Sequence, residues 1–298
     1  MFFESEGLDH QGYCFRPPSE AYSILFQATL GCSHNKCTFC NAFKYKRFAI
    51  KDMGIWEKDM AFAEKYCKRQ KRLFVMDGDA LIMPMRKWEW LLGNIRQRLP
   101  WVERVAVYGN AKGVALKSDE ELARLRGMGL SLIYYGIESG HPDVLKDIRK
   151  GADPEKLVEQ ARRLKKAGFA LSVTVILGLA GREKEKSYGH AVETGRVLSA
   201  VDPDYVGALS LMLAEDAPIY ERVRSGELVL PEGVDFVQEL GLMFAHTQLS
   251  NGWFMANHAS NYLTIKAHLP EDREPTMRRI AAALNGRIAL RDEWMRAL

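Results

Sequence analysis

Three cysteines are packed into nine residues, Cys32-Ser-His-Asn-Lys-Cys37-Thr-Phe-Cys40. Thiolate is a soft ligand suited to iron–sulfur clusters and zinc. A [4Fe–4S] cluster normally takes four cysteines, so three on one loop hold a cluster and leave one iron open to a substrate or cofactor. The competing reading is a structural zinc site in which His34 completes a Cys3His tetrahedron. Compact zinc motifs pair a C-x2-C with a second Cys or His pair further along, and no such pair follows here. A disulfide framework is a weaker alternative, because five cysteines in 298 residues is an odd, low count with no secretory signal ahead of it. Cys14 and Cys67 are isolated. Cys67 falls in a helical stretch and reads as a small core residue. Two stray thiols cannot supply a second cluster, so one is expected.

The elements that must position these thiols come next. Ser23 to Leu30 is apolar and β-branched enough for a buried strand, and Gly31 then allows an abrupt turn. The cysteines therefore sit at the C-terminal end of a strand, where parallel α/β barrels carry their active sites. Further βα signals follow in regular alternation. Helices are expected from Trp56 to Arg69, Lys87 to Arg98, Ser118 to about Arg126, Asp153 to Gly168 and Glu183 to Ala200. Strands are expected at Arg72 to Met76, Arg104 to Tyr108, Leu132 to Ile137, Phe169 to Leu177 and Tyr205 to Leu211. Ser118 with Glu121 forms a capping box, Gly127 and Gly129 end that helix, and Asp153-Pro154 opens the next one. The count is six βα units.

The cysteine loop, with aromatic Phe39 just before its last cysteine, resembles that of the radical S-adenosylmethionine (SAM) superfamily. The usual spacing there is C-x3-C-x2-C, and this chain reads C-x4-C-x2-C. The inserted residue leaves the ligand count intact. The resemblance implies an α/β fold, a partial (βα)6 TIM-type barrel, in residues 1–211. The remaining segment, 212–298, is then a C-terminal extension that closes the barrel mouth as a substrate lid. It also implies Cys32, Cys37 and Cys40 as ligands of a [4Fe–4S] cluster, SAM on the open iron, and a low-potential electron donor such as flavodoxin or ferredoxin. A 5′-deoxyadenosyl radical would then take hydrogen from the substrate, in an oxygen-sensitive enzyme.

Further motifs follow in the superfamily's order. After the second strand, Met76-Asp77-Gly78-Asp79-Ala80 is similar to the Gly-Gly-Glu signature, whose backbone and acid bind the methionine ammonium. Asp77 stands where the first glycine would be, and a plain Asp-Gly-Asp turn is the alternative. After the fourth strand, Gly136-Ile137-Glu138-Ser139-Gly140 is similar to Gly-x-Glu-Ser-Gly, which implies that Glu138 reaches the SAM ribose or amino group. A strand-end glutamate in solvent is the alternative. Lys150 resembles a basic position that pairs with the SAM carboxylate, and its neighbour Arg149 is an equal candidate. The fifth strand ends in Gly178-Leu-Ala-Gly181, which resembles a Gly-x-x-Gly edge that meets adenine. Ser172 and Thr174 are candidates for the ribose, or ordinary strand hydroxyls.

Composition limits the rest. The chain is 47% hydrophobic and 27% charged, ordinary for a soluble protein, and no apolar run approaches the roughly 20 residues of a membrane span. A cytoplasmic protein without membrane attachment is expected. The formal charge of +4 suits an anionic substrate and falls short of the basic stripe of an obligatory nucleic-acid binder. In the extension, His246, His258, Asn261 and Lys266 are candidates for binding such a substrate or moving protons, or for capping loops and helices. Resemblance to the branch with oxygen-independent coproporphyrinogen oxidase and the Elongator catalytic subunit transfers neither substrate. Three functions stay open: a radical SAM enzyme on a small-molecule or peptidic substrate, a radical SAM enzyme modifying RNA, and a noncatalytic zinc or iron–sulfur module.

Overall fold

The computed structural model describes residues 7–297. It is an α/β fold with mostly parallel strands, and its contacts divide it into two compact units. The first holds the residues up to Asn35 together with Ala42–Tyr134 and Arg163–Ala170; the second holds Lys36–Asn41, Tyr135–Arg162 and Leu171–Leu298.

In the first unit lie β1 (Ile24–Gln27), β2 (Thr29–Leu30), β3 (Ala49–Ile50), α1 (Met53–Tyr66), β4 (Arg72–Met76), α2 (Met85–Arg98), β5 (Arg104–Gly109), α3 (Ala111–Ala115) and α4 (Asp119–Gly127). Strand β6 (Leu130–Glu138) begins in this unit and ends in the second. β4 pairs in parallel with β1 and β5, setting Leu25, Phe74 and Ala106 in one row and Ile24, Leu73 and Val105 in the other. Because side chains alternate across a strand, this register builds one apolar cluster from Phe74, Met76, Ala106, Leu132 and Tyr134, with Leu25, Tyr108 and Cys14 packed against it. The Phe74 ring meets Tyr108 and Tyr134 edge-on, with centroids 4.9 and 5.7 Å away, the arrangement aromatic quadrupoles favour. β2 and β3 form a small antiparallel pair flanking the cysteine loop, which the sequence reading did not anticipate. Ser118 and Glu121 make the expected capping box. Cys67 ends α1 and is buried, as a core thiol should be, and burial pushes its pKa up.

The second unit continues with α5 (Pro142–Asp147), α6 (Pro154–Lys166, whose last residues belong to the first unit), β7 (Ala170–Leu177), α7 (Lys184–Val201), β8 (Tyr205–Ser210), α8 (Ile219–Arg224), α9 (Gly233–Ala245), β9 (Gly252–Met255), β10 (Lys266–Leu269) and α10 (Arg273–Leu284). β7 buries Leu171, Val173, Val175 and Leu177 and leaves Ser172 and Thr174 half-exposed on the opposite face. The extension does more than follow the last expected strand. β9 pairs in parallel with β8, β10 pairs antiparallel with β9, and α9 packs on α7 and α10, so the chain beyond residue 211 lengthens the sheet. No helix among the described residues is long and apolar enough to cross a membrane.

Candidate active site

In the first unit the base of the cysteine loop is stitched to the end of β4. Gly31 turns the chain with φ of 69°, and a Cβ there would lie 2.8 Å from the Lys46 carbonyl oxygen, so only glycine fits. The Gly31 N–H donates to Asp77 Oδ2 at 3.0 Å, and the Gly78 N–H returns a bond to the Gly31 carbonyl at 3.1 Å. Asp77 Oδ2 also accepts from Gln27 Nε2 at 3.1 Å and Lys46 Nζ at 3.1 Å. Asp77 therefore acts as a clamp where the resembled motif has a glycine. The inserted residue of the C-x4-C spacing is absorbed by Asn35, whose φ of 42° lies in the left-handed region that Asn tolerates. Its side chain donates to the Phe43 carbonyl at 2.8 Å.

Asp79 lies beside this loop. It is fully buried, its Oδ2 accepts a hydrogen bond from the Ser33 hydroxyl, and its Oδ1 is buried with no hydrogen-bond partner. Burial pushes its carboxyl up to about 6, against the lowering effects of Ser33 and of the Asn110 side chain. A raised acid holds its proton in the folded state, so stability is greatest at low pH and falls as pH rises from the ordinary carboxylate range through about 6. Above that window the buried charge costs about 3 kcal/mol. Asp79→Asn should therefore stabilise the apoprotein against urea at pH 7.5 but hardly at pH 4, and equal gains at both would refute this account.

The second unit carries the other two cysteines and the acid–base pair after β6. The Thr38 N–H, between Cys37 and Cys40, donates to the Ile148 carbonyl, and the Thr38 carbonyl accepts from Ile219 N–H, both at 2.9 Å. The cysteine segment is thus tied next to Arg149 and Lys150, which follow Ile148 directly. Phe39 is half-buried. Lys150 Nζ donates to Glu138 Oε1 at 2.9 Å, with both side chains nearly buried. Glu138 and Arg149 have φ of 67° and 53°, conformations that non-glycine residues keep only where their surroundings impose them. Arg149 is exposed.

The four candidates from the extension separate into two kinds. Asn261 is buried, with its Nδ2 donating to the Ala208 carbonyl at 2.8 Å and its Oδ1 accepting from Ser210 Oγ at 2.9 Å. His246 follows α9, with Nδ1 2.9 Å from the Leu242 carbonyl. Both side chains are hydrogen-bonded within the second unit. His258 is half-buried with Nδ1 2.9 Å from Ser260 Oγ, and burial followed by the Arg291 charge lowers its pKa. Lys266 is exposed and lies 5.0 Å from the centre of the Trp253 ring. A network absent from the sequence reading stands behind Gly178, where Glu239 accepts from the Gly178 N–H and from Ser187 and contacts His190. The five cysteines form no disulfide, and among the described residues no three His, Cys, Asp or Glu side chains are grouped as one metal ion would require.

An α/β fold with three thiols on a strand-end loop and a buried, half-partnered acid beside it defines a class of cofactor-dependent enzyme. The model of the radical SAM superfamily matches residues 26–187, more than half of the chain, and the chain belongs to that superfamily. Among curated proteins, it is 25% identical over 161 residues to a Methanocaldococcus jannaschii protein whose name assigns it provisionally to the methylthiotransferases. That match covers 52% of this chain and 35% of the relative. Among solved structures, coproporphyrinogen III oxidase (HemN) from Escherichia coli superimposes with a TM-score of 0.53 at 14% identity, covering 72% of this chain and 50% of that one. Elp3 from Methanocaldococcus infernus superimposes at 0.51 and 14%, covering 78% and 60%. The chain thus spans about a third of the curated relative's length, and the structural likeness establishes the fold.

Membership of the superfamily gives the chain a [4Fe–4S] cluster and SAM as cofactors. Its residues fit them. Three thiols leave one iron free, and the orphaned Asp79 Oδ1 is an acceptor lacking the donor that an ammonium group would supply.

Proposed function

We propose that this enzyme cleaves SAM reductively and takes hydrogen from a small-molecule or peptidic substrate. Bound together, the cluster and SAM supply a 5′-deoxyadenosyl radical, the reactive species that the protein itself cannot make. The protein's own groups bind and orient. Cys32, Cys37 and Cys40 hold the cluster. Asp79 and the backbone at Gly78 accept the methionine ammonium. Lys150, paired with Glu138, and its neighbour Arg149 are the candidate cations for the SAM carboxylate, and Glu138 is the candidate acid for the ribose or amino group. Ser172 and Thr174 of β7 are the candidates for the ribose, and Phe39 is the aromatic residue before the last cysteine. His258, held neutral, suits proton transfer, and Lys266 suits an anionic group on the substrate.

The observation that carries this reading is the buried Asp79 carboxylate with one oxygen bonded to the residue after Cys32 and the other unpartnered. Anaerobic incubation of reconstituted protein with SAM and dithionite tests it. We expect 5′-deoxyadenosine and methionine; tightly held zinc without sulfide, and no nucleoside product, would defeat it.

The reductant is part of the same reading. From Cys32 to Lys51 the chain carries Lys36, Lys44, Lys46, Arg47 and Lys51 and no acid, and Tyr45 in that run is 82% exposed. Of these, Lys36 and Arg47 are exposed, while Lys46 and Lys51 are paired with Asp77 and Asp9; exposed cations of this kind suit an acidic one-electron carrier such as flavodoxin or ferredoxin. Reversing Lys36 and Arg47 to glutamate should slow carrier-driven turnover roughly tenfold at low salt and leave dithionite-driven turnover untouched. Equal slowing with both reductants would remove the docking role. An oxygen-sensitive cluster also suits the reducing cytoplasm.

A further inference from the structure

We propose that Glu239 on α9 is a positioning residue for SAM, fixing the Gly178–Gly181 loop from behind. The proposal rests on the reading of that loop as the adenine edge. Glu239 is 2% exposed and lies among the buried apolar residues Phe236, Val237, Leu240 and Met243 of its helix. A carboxylate in such a place carries a desolvation penalty, and an apolar side chain there would pack without it. The acid is nonetheless held by three groups. Its Oε1 accepts the Gly178 N–H at 2.7 Å and lies 3.1 Å from His190 Nδ1, and its Oε2 accepts from Ser187 Oγ at 2.5 Å.

The geometry shows what these bonds accomplish. The peptide unit joining Leu177 to Gly178 is gripped on both edges, its carbonyl accepting from Leu211 N–H at 2.9 Å and its N–H donating to Glu239. Gly178 then turns at φ of 86°, and a Cβ there would stand 2.4 Å from the Phe236 ring, one helical turn before Glu239. Helix α9 therefore sets both the plane of the peptide that ends β7 and the space into which the loop turns. The Gly181 N–H closes the turn on the Gly178 carbonyl at 3.1 Å, and the Arg182 N–H docks on the Val229 carbonyl at 2.9 Å. His190 and Ser187, both on α7, hold the carboxylate in place. His190 is fully buried and its Nε2 has no partner, so its one polar contact is the acid it steadies.

Two substitutions separate positioning from a mere need for buried charge. Glu239→Gln keeps the side-chain length and an oxygen for the Gly178 N–H but removes the charge. Glu239→Asp keeps the charge and withdraws the oxygen by one methylene. Equilibrium dialysis of SAM against reconstituted holoenzyme, without turnover, gives the readout, with iron and sulfide content measured in parallel. Loss of a hydrogen bond to a charged group predicts a Kd weakened roughly tenfold or more in the Asp variant, with iron unchanged and kcat at saturating SAM preserved. The Gln variant should bind within about threefold of wild type, because the acceptor remains. The reverse order, Gln weak and Asp normal, overturns the proposal, as does wild-type affinity in both. Failure of the unaltered protein to bind SAM would instead count against the proposed function.

Discussion

Replacing Cys37 with alanine abolishes 5′-deoxyadenosine formation and strips iron and sulfide from the reconstituted protein, while the apoprotein melts as wild type does. The asymmetry follows from where the residue sits. Cys37 is on a half-exposed loop. The loop is anchored through its backbone, by Thr38 N–H on the Ile148 carbonyl and Ile219 N–H on the Thr38 carbonyl, bonds that a side-chain change does not touch. Loss of such a thiol should move apoprotein stability by no more than about 0.5 kcal/mol. The cluster has no such reserve. With three thiolates it has already given up one protein ligand, and removing another leaves two irons without a protein ligand. Cys67→Ala provides the contrast: buried at the end of α1, it should lower stability and leave iron content and product formation intact. Undiminished product from the Cys37 variant would mean that the ligand assignment is wrong.

Much of this candidate site is legible in the sequence, because its parts are local. The cysteine spacing lies within nine residues, the strand before it is a continuous apolar run, and Ser118 with Glu121 is a capping pair three residues apart. All six expected strands are present, since β-branched runs punctuated by glycine and proline leave few alternatives. The short pieces escaped. β9 and β10 have four residues each, too few for a period to show, and β2 and β3 have two. The contacts behind the Gly178–Gly181 turn escaped for another reason. Glu239 and His190 are 49 residues apart, and an acid within a helix ordinarily reads as its solvent face. The bonds of Asn261 into β8 and of His246 at the end of α9 escaped as well, because a polar side chain does not announce its partner in the sequence.

Asp77 belongs with these, and restoring the motif's glycine there should damage the protein. Asp77→Gly removes a fully buried carboxylate whose Oδ2 holds the Gly31 N–H, Gln27 Nε2 and Lys46 Nζ together. Lys46 is the decisive partner. Its side chain is 14% exposed, and when the acid is gone it keeps the Tyr13 carbonyl, at 2.6 Å, and the Phe43 ring, 6.0 Å away, neither of which carries an opposite charge. Breaking a buried ion pair by deleting one member costs about 3–5 kcal/mol, because the remaining charge is left uncompensated. The Gly31 N–H, which sets the turn into Cys32, loses its acceptor in the same step. The expected result is a lower urea midpoint with the slope unchanged, together with faster loss of iron during anaerobic gel filtration. Asp77→Asn keeps the shape and one acceptor oxygen and should fall between wild type and glycine. Lys46→Met in the glycine background should recover part of the loss, since it removes the stranded ammonium, and the shortfall from additivity measures the pair. If Asp77→Gly unfolds at the wild-type midpoint and keeps its iron, the aspartate is not a clamp and the glycine pattern was interchangeable after all.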